Sequence, residues 1–280
     1  MLVEKISSRQ NPLVKRFRKV RAGGEPHLIL IEGIRLLEEA LAVRAHFETV
    51  AFTTELESSD RGVALQDALR RVPCRGAQLS KQVMDYIAGT ESPQGVAAIV
   101  SRPHFTLNDI FAESPQLIVV ADALQDPGNL GTIVRTAEAA GATGLITTPG
   151  AVSPYNSKAV RASMGSALRF PIATHVKWSE AHALARALNV KTVIARIPRA
   201  GPKKSGLASE LYTKADFALP VAIVLGNEGG GVSEEIIAAA DMLVHIPMAA
   251  GVDSLNVAAA GSVLLYEATR QRRRGAGSQD

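Results

Sequence analysis

Hydrophobic positions along this chain switch repeatedly between a short continuous run and a helical spacing. Residues 28–31, LILI, read as a buried strand and Gly33 as a turn; IRLLEEALAV at 34–43 then carries apolar residues at helical spacing. FETVAFT at 47–53 reads as a strand, GVALQDALRRV at 62–72 as a helix and GVAAIVSR at 95–102 as a further strand. Alternating strands and helices predict an α/β domain ending near residue 102. The polar, proline-bearing stretch SRPHFTLNDIFAESPQ that follows reads as a linker.

The alternation restarts at QLIVVADAL, a strongly buried strand at 116–124. NLGTIVRTAEAAG is a helix closed by Gly141, a C-cap glycine. ATGLITT, KTVIARI, FALPVAIVLG and MLVHIPM each contain a strand. SKAVRASMGSAL, EAHALARAL, SEEIIAAA and the long LNVAAAGSVLLYEATRQR read as helices. This order predicts a mostly parallel sheet with helices on both faces. No repeat interrupts it, and the final GAGSQD, 275–280, reads as a disordered tail.

Composition narrows the chemistry. The chain has 280 residues, 46% hydrophobic but only 4% aromatic, so its cores rest on aliphatic side chains. A single cysteine, Cys74, excludes a disulfide framework or a cysteine-based zinc site within one chain. No apolar run approaches the roughly 18 residues that span a bilayer, and the N-terminus lacks the apolar core of a signal peptide. A cytoplasmic location is the expectation. Net charge is +4. Seven of the first 21 residues are basic (Lys5, Arg9, Lys15, Arg16, Arg18, Lys19 and Arg21), with only Glu4 opposing them. Such a cluster is either a solvated helical face or a phosphate-binding patch.

In open α/β sheets, ligands bind beyond the carboxyl ends of strands, so three loops stand out. DALQDPGNLGTIVRTAEAAG lacks the G-x-G-x-x-G fingerprint, and no acidic residue ends the next strand, which argues against a nicotinamide cofactor. Asn129 here can cap a helix, and Arg135 lies mid-helix. LGNEGGGVSEE holds three consecutive glycines, Gly229 to Gly231, a run that suits close approach of backbone to a ligand but does not match a P-loop. HIPMAAGVDSLNVAAAG sets Asp253, Ser254 and Asn256 ahead of small residues, and Ser254 or Asn256 can cap the final helix.

Together, Asn129 with Arg135, then GNEGGG, then IPM…SLNV resemble the three motifs of the SpoU (TrmH) family of RNA ribose 2′-O-methyltransferases. The resemblance covers residues 113–272. It includes YNSKAVRASMGSALRFPI and extends back to NPLVKRFRKV, LIEGIRLLEEAL and TESPQGVAAIV, which are similar to an N-terminal substrate-binding domain of these enzymes. Departures are small: Asp253 stands where Glu is more usual, and Ala258-Ala259 replace a more usual Ser-Val.

The resemblance implies a C-terminal parallel-sheet α/β domain of SPOUT type, 116–274, carrying a deep trefoil knot. It also implies a smaller N-terminal α/β domain like ribosomal protein L30e, 1–102, with a linker at 103–115. It implies S-adenosylmethionine as cofactor, held near Thr147, Leu225, Gly226, Asn227, Gly230, Ile246, Met248 and Leu255. Catalytic roles fall to Arg135, Asn129, Glu228, Ser254 and Asn256, with Arg135 gripping the target phosphate and the others positioning it and the ribose. Lys15, Arg16, Arg18, Lys19, Arg35, Arg161 and Ser163 become candidate RNA contacts, along with Arg135 itself. No metal is expected, and the partners implied are RNA, most plainly 23S-type ribosomal RNA, and a second copy of the chain. The alternatives are a transfer RNA substrate, or a non-catalytic RNA-binding or ribosome-assembly protein on the same fold.

Overall fold

The computed structural model describes residues 3–196 and 207–276. Along the first part run β1 (Val3–Ile6), α1 (Pro12–Arg21), β2 (Leu28–Glu32), α2 (Ile34–Ala42), β3 (Phe47–Phe52), α3 (Asp60–Arg70), β4 (Arg75–Leu79), α4 (Lys81–Ile87) and β5 (Val96–Ser101). There follow α5 (Leu107–Phe111), β6 (Leu117–Ala121), α6 (Pro127–Ala139), β7 (Gly144–Thr147), α7 (Ser157–Ala162), β8 (Ile172–Ala173), α8 (Trp178–Ala187) and β9 (Lys191–Ala195). The last are β10 (Ser209–Leu211), β11 (Val221–Leu225), α9 (Glu234–Ala238), β12 (Met242–His245) and α10 (Val257–Ala276).

The chain divides into two compact units, Met1–Pro103 with Tyr155–Arg169, and His104–Pro154 with Phe170–Asp280. The first is built on a mixed five-stranded sheet, β1-β4-β3-β5-β2, in which β5 runs antiparallel to both neighbours. Helices α1 and α4 cover one face, burying Leu13, Val14, Phe17, Val20, Val83, Met84 and Ile87 against Leu30, Ala51, Ala77 and Ile99. Helix α1 starts where the chemistry dictates: Pro12 fits the first turn, and Asn11 Oδ1 accepts from Leu13 N at 2.8 Å.

The second unit holds a seven-stranded sheet, β10-β12-β9-β11-β6-β7-β8, with every pairing parallel. Its central strands β6 and β11 are buried on both faces, as an all-parallel sheet requires. Alternate residues of β6 and β11, Ile118, Val120, Ala222 and Val224, share a core with α5, α8 and α9. On the other face α10 packs against α6, and Gly261 of α10 lies so close to Leu225 that an added Cβ would sit 2.7 Å from its Cδ1. At its far end α10 is fastened by Arg272, whose guanidinium donates to the carbonyls of Pro115, Gln116, Phe217 and Leu219 at 2.7 to 3.0 Å. Because all seven strands run the same way, the loops after β6, β7, β11 and β12 emerge at one edge.

Several expectations need correcting. The stretch 103–115, read as a linker, contains α5, opened by a capping box between Thr106 and Asp109 and closed by the buried Ile110 and Phe111. The helix expected over 157–168 stops at Ala162; Met164 and Gly165 take positive φ angles, and a single 3-10 turn follows. Residues 155–169 group with the first unit rather than the second. The tail read as disordered from residue 275 begins inside α10, and 277–280 lie outside the described residues. Among the described residues no helix is long and apolar enough to cross a membrane.

Candidate active site

At the carboxyl edge of the second sheet the glycine-rich loop closes on itself. Asn227 and Gly231 exchange backbone hydrogen bonds at 2.9 Å, and Asn227 Oδ1 accepts from the N–H groups of Gly229 and Gly230, each at 2.9 Å. Asn227 Nδ2 in turn donates to the carbonyl of Ala123 at 2.8 Å, tying this loop to the one after β6. A second tie is the buried Asp122, which accepts from Thr148 Oγ1 at 2.8 Å and from Ser233 N at 2.7 Å. Gly226 has no room for a side chain: a Cβ there would sit 2.4 Å from the carbonyl carbon of Gly231.

Glu228 reaches across to the start of α6. Its carboxylate accepts from Asn129 Nδ2 at 3.0 Å and from the N–H groups of Gln125 and Asp126 at 3.3 and 3.4 Å. Burial pushes the Glu228 pKa up, but these donors outweigh it and the net shift is downward. Asn129 Oδ1 accepts from Asn256 Nδ2 at 2.9 Å, and Asn256 Oδ1 caps α10 by accepting from Ala258 N at 2.9 Å and Ala259 N at 3.3 Å. Three loops distant in sequence are thus joined by one chain of side chains, Glu228–Asn129–Asn256.

Asn129 is therefore not the helix cap. Asp126 caps α6, its Oδ1 accepting from Asn129 N at 2.8 Å, which frees the Asn129 amide to face the other loops. Arg135 lies on the same helix, exposed, and makes no hydrogen bond or ion pair among the described residues. The expectation that Asn129, Glu228, Ser254 and Asn256 hold Arg135 is not met by any hydrogen bond; they hold one another, and Ser254 is exposed without such a bond.

Beside this chain lies a cavity of about 900 Å³. Leu225, Gly226, Asn227, Gly230, Ile246, Met248 and Leu255, all expected to meet a cofactor, line it, together with Glu228, Ser254 and Asn256. Thr147 does not. It is buried at the end of β7, on the far side of β6 from β11, and its Oγ1 accepts from His175 N at 3.1 Å. The cavity adds residues that the motifs did not single out, among them Arg196 and His245. Arg196 follows β9 directly and His245 is the last residue of β12, positions that mark them once strand direction is known. The volume falls within the range of small-molecule sites. The glycines present bare backbone: nothing lies within 4 Å of a Cβ built on Gly231, and only Asn227 Oδ1, at 3.7 Å, meets one on Gly229 or Gly230. An adenosyl cofactor fits such a cradle, with main-chain donors and acceptors beside apolar Ile246 and Met248.

In the first unit the expected RNA contacts separate. Lys15, Arg18, Lys19 and Arg35 are exposed. Arg16 is committed to ion pairs with Glu48 at 2.5 Å and Glu25 at 3.3 Å. Arg161 is turned inward, 3.6 Å from the buried Glu32 and donating to Gly89 O at 3.4 Å. Ser163 is fully buried, its hydroxyl donating to Val160 O at 2.8 Å and accepting from Ala167 N at 3.2 Å. Ser163 therefore offers no polar atom to a substrate, whereas Arg161 is held by Glu32 and Gly89 but stays partly exposed. Among the described residues no cluster of three or more His, Cys, Asp or Glu could hold a metal ion.

The loops at one edge of an all-parallel sheet thus close a glycine-lined cavity, and the exposed Arg135 lies on α6, the helix that Asn129 ties to it. Residues 116–266 match the SpoU rRNA Methylase family and residues 11–98 the MRM3-like substrate binding domain. An uncharacterized tRNA/rRNA methyltransferase of Synechocystis is 34% identical over 96% of this chain and 95% of its own. The Bacillus subtilis 23S rRNA (guanosine(2553)-2′-O)-methyltransferase RlmP is 29% identical over 94% and 98%. The AdoMet-bound rRNA methyltransferase from Sinorhizobium meliloti superposes with a TM-score of 0.81 at 31% identity, covering 96% of this chain and 98% of that one. The chain belongs to the SpoU rRNA Methylase family. It is an RNA methyltransferase.

Proposed function

We propose that this chain methylates a ribose 2′-hydroxyl of ribosomal RNA, using S-adenosylmethionine held in the cavity between the loops after β11 and β12. The observation that carries this reading is the linked set Glu228–Asn129–Asn256, which joins the cavity to α6, the helix that presents the unpaired Arg135. The cofactor, when bound, supplies a methyl group on a cationic sulfur, so the donor needs no further activation. What the protein must do is align the accepting oxygen and manage its proton.

Backbone groups of Gly226, Asn227, Gly230 and Leu255, beside the side chains of Leu225, Ile246 and Met248, hold the cofactor. Arg135 meets the RNA phosphate and polarises the 2′ oxygen. A guanidinium does not deprotonate under ordinary conditions, so Arg135 acts by charge and position, and the 2′-hydroxyl proton passes to solvent as the oxygen–methyl bond forms and the methyl–sulfur bond breaks. An exposed arginine that pairs with no carboxylate among the described residues suits that task. Ser254, exposed at the cavity mouth, faces the ribose. Domain roles follow: residues 1–102 recognise RNA and residues 116–274 carry out transfer, with the knot of this family in the loops around the cavity. A second copy covers the exposed apolar Val252, Leu255 and Tyr266.

The RNA assignment rests on the B. subtilis relative, named for a 23S rRNA 2′-O-methyl transfer and matched over 94% of this chain, and on the 2′-hydroxyl being the group that marks RNA. Mapping 2′-O-methylation across total RNA from cells with and without this protein tests it. Loss of one ribosomal RNA modification is expected; an unchanged ribosomal map would sink the reading.

A further inference from the structure

The basic cluster of the first unit is not uniform, and its division points to a specific site. On α1, Arg16 faces Glu25 and Glu48 and is neutralised there. Lys15, Arg18 and Lys19 share the neighbouring stripe and, with Arg9, Gln10 and Tyr86, line a concavity of about 440 Å³. Among the described residues no carboxylate lines it. Lys19 alone touches an acid, Glu25, at 3.7 Å.

Two guanidinium groups are gathered on one aromatic ring. Arg9 Cζ lies 4.8 Å and Arg18 Cζ 4.4 Å from the centre of the Tyr86 ring. Arg18 also donates to the Tyr86 hydroxyl. The ring is packed on the core under α1 and α4, so it is a fixed platform. Ring faces attract cations and offset part of the repulsion between the two arginines. The rest of that repulsion is unrelieved, since no counter-charge stands in the concavity. A site that concentrates positive charge on a rigid ring, while the adjacent arginine is neutralised, is preorganised for an anion.

We infer that Arg9 and Arg18, held on Tyr86, together with Lys15 beside them, form a phosphodiester-binding site for the RNA backbone. This rests on the chain acting on RNA and assigns its non-sequence-specific contacts to one concavity. Phosphate contacts of this kind set register and strength without reading bases.

The test is the salt dependence of RNA binding by the full chain, followed with a ribosomal RNA fragment containing the modified nucleotide. Each phosphate contact to a single strand contributes about 0.7 to the slope of log K against log salt. The double variant Arg9→Gln/Arg18→Gln should lower the slope by about 1.4 and leave S-adenosylmethionine binding unchanged. The charge-balanced pair Arg16→Gln/Glu48→Gln should leave the slope as it is. Tyr86→Leu should weaken RNA binding at fixed salt although no charge is lost. At matched ionic strength, inorganic phosphate should displace more RNA than chloride does in the wild type, and that excess should shrink in the double variant; an equal excess in both would overturn the inference. An unchanged slope in the double variant, with wild-type RNA binding intact, would overturn this site alone. Failure of the wild type to bind RNA would overturn the functional reading and this site with it.

Discussion

Asn256 donates its side-chain N–H to Asn129 Oδ1 at 2.9 Å while its own oxygen caps α10. The Asn129 amide is consumed in both directions, since its Nδ2 serves Glu228. Turning that amide over would satisfy neither neighbour. Asn256→Asp keeps a good cap but sets an acceptor against an acceptor. It should retain thermal stability and lose turnover, whereas Asn256→Ala should lose turnover and about 1 kcal/mol of stability. Melting curves and single-turnover rates on the two variants check this; equal turnover in Asn256→Asp and wild type would refute it.

Glu228 gives the loop a pH dependence of known sign. Its folded pKa is lowered, so the stabilisation it lends is complete above the ordinary carboxylate range and is lost as pH falls through the depressed value. Protonation places a donor among the donors of Asn129, Gln125 and Asp126. S-adenosylmethionine affinity should therefore fall on the acid side in the wild type. Glu228→Gln should show weaker binding throughout and no such fall. Calorimetric titration across the acid range decides it, and identical profiles would count against the role.

Gly226→Ala probes the tightness of the cradle. The added Cβ meets backbone atoms of Gly231 and Val232 at 2.4 and 2.5 Å, which have no flexible end to move aside. Cofactor affinity should drop at least about tenfold, some 1.4 kcal/mol, while the sheet beneath stays folded. Wild-type affinity in this variant would show that the loop tolerates opening.

Ser163→Ala separates an internal role from a substrate role. The hydroxyl is fully buried and satisfied within its own turn. Its removal leaves Ala167 N without a partner and should cost about 1 to 3 kcal/mol of stability. RNA affinity of the folded variant should equal that of the wild type. A selective loss of RNA affinity at unchanged stability would reverse the assignment.

The second sheet was legible because parallel strands buried on both faces leave continuous apolar runs such as LIVVA at 117–121 and VAIVL at 221–225. Of the strands that escaped, β1 and β4 carry Glu4, Lys5, Arg75 and Gln78, so their polar faces hide the period, and β8 and β10 are only two and three residues long. Helix α5 escaped because five residues are too few to show a helical period, although its Thr106–Asp109 capping box was readable. At the site, the motifs named Asn129, Glu228 and Asn256, which hydrogen bonds join in the fold, but as holders of Arg135 rather than of one another. They could not show that Asp126 takes over the cap, nor that Arg161 and Ser163 turn inward, because burial depends on what packs against a helix. Thr147 failed for a similar reason: strand order, which the sequence does not state, sets β7 apart from the cavity.

The central claim is that Arg135 carries RNA methyl transfer without holding the cofactor. It is tested most directly by giving Arg135→Ala and the wild type labelled S-adenosylmethionine and ribosomal RNA, and measuring both cofactor binding and methyl incorporation at the 2′ oxygen. The account predicts cofactor affinity within about twofold of wild type and a rate lowered at least about 100-fold, the scale of a lost electrostatic contact to developing charge. Near-normal incorporation by Arg135→Ala would contradict it.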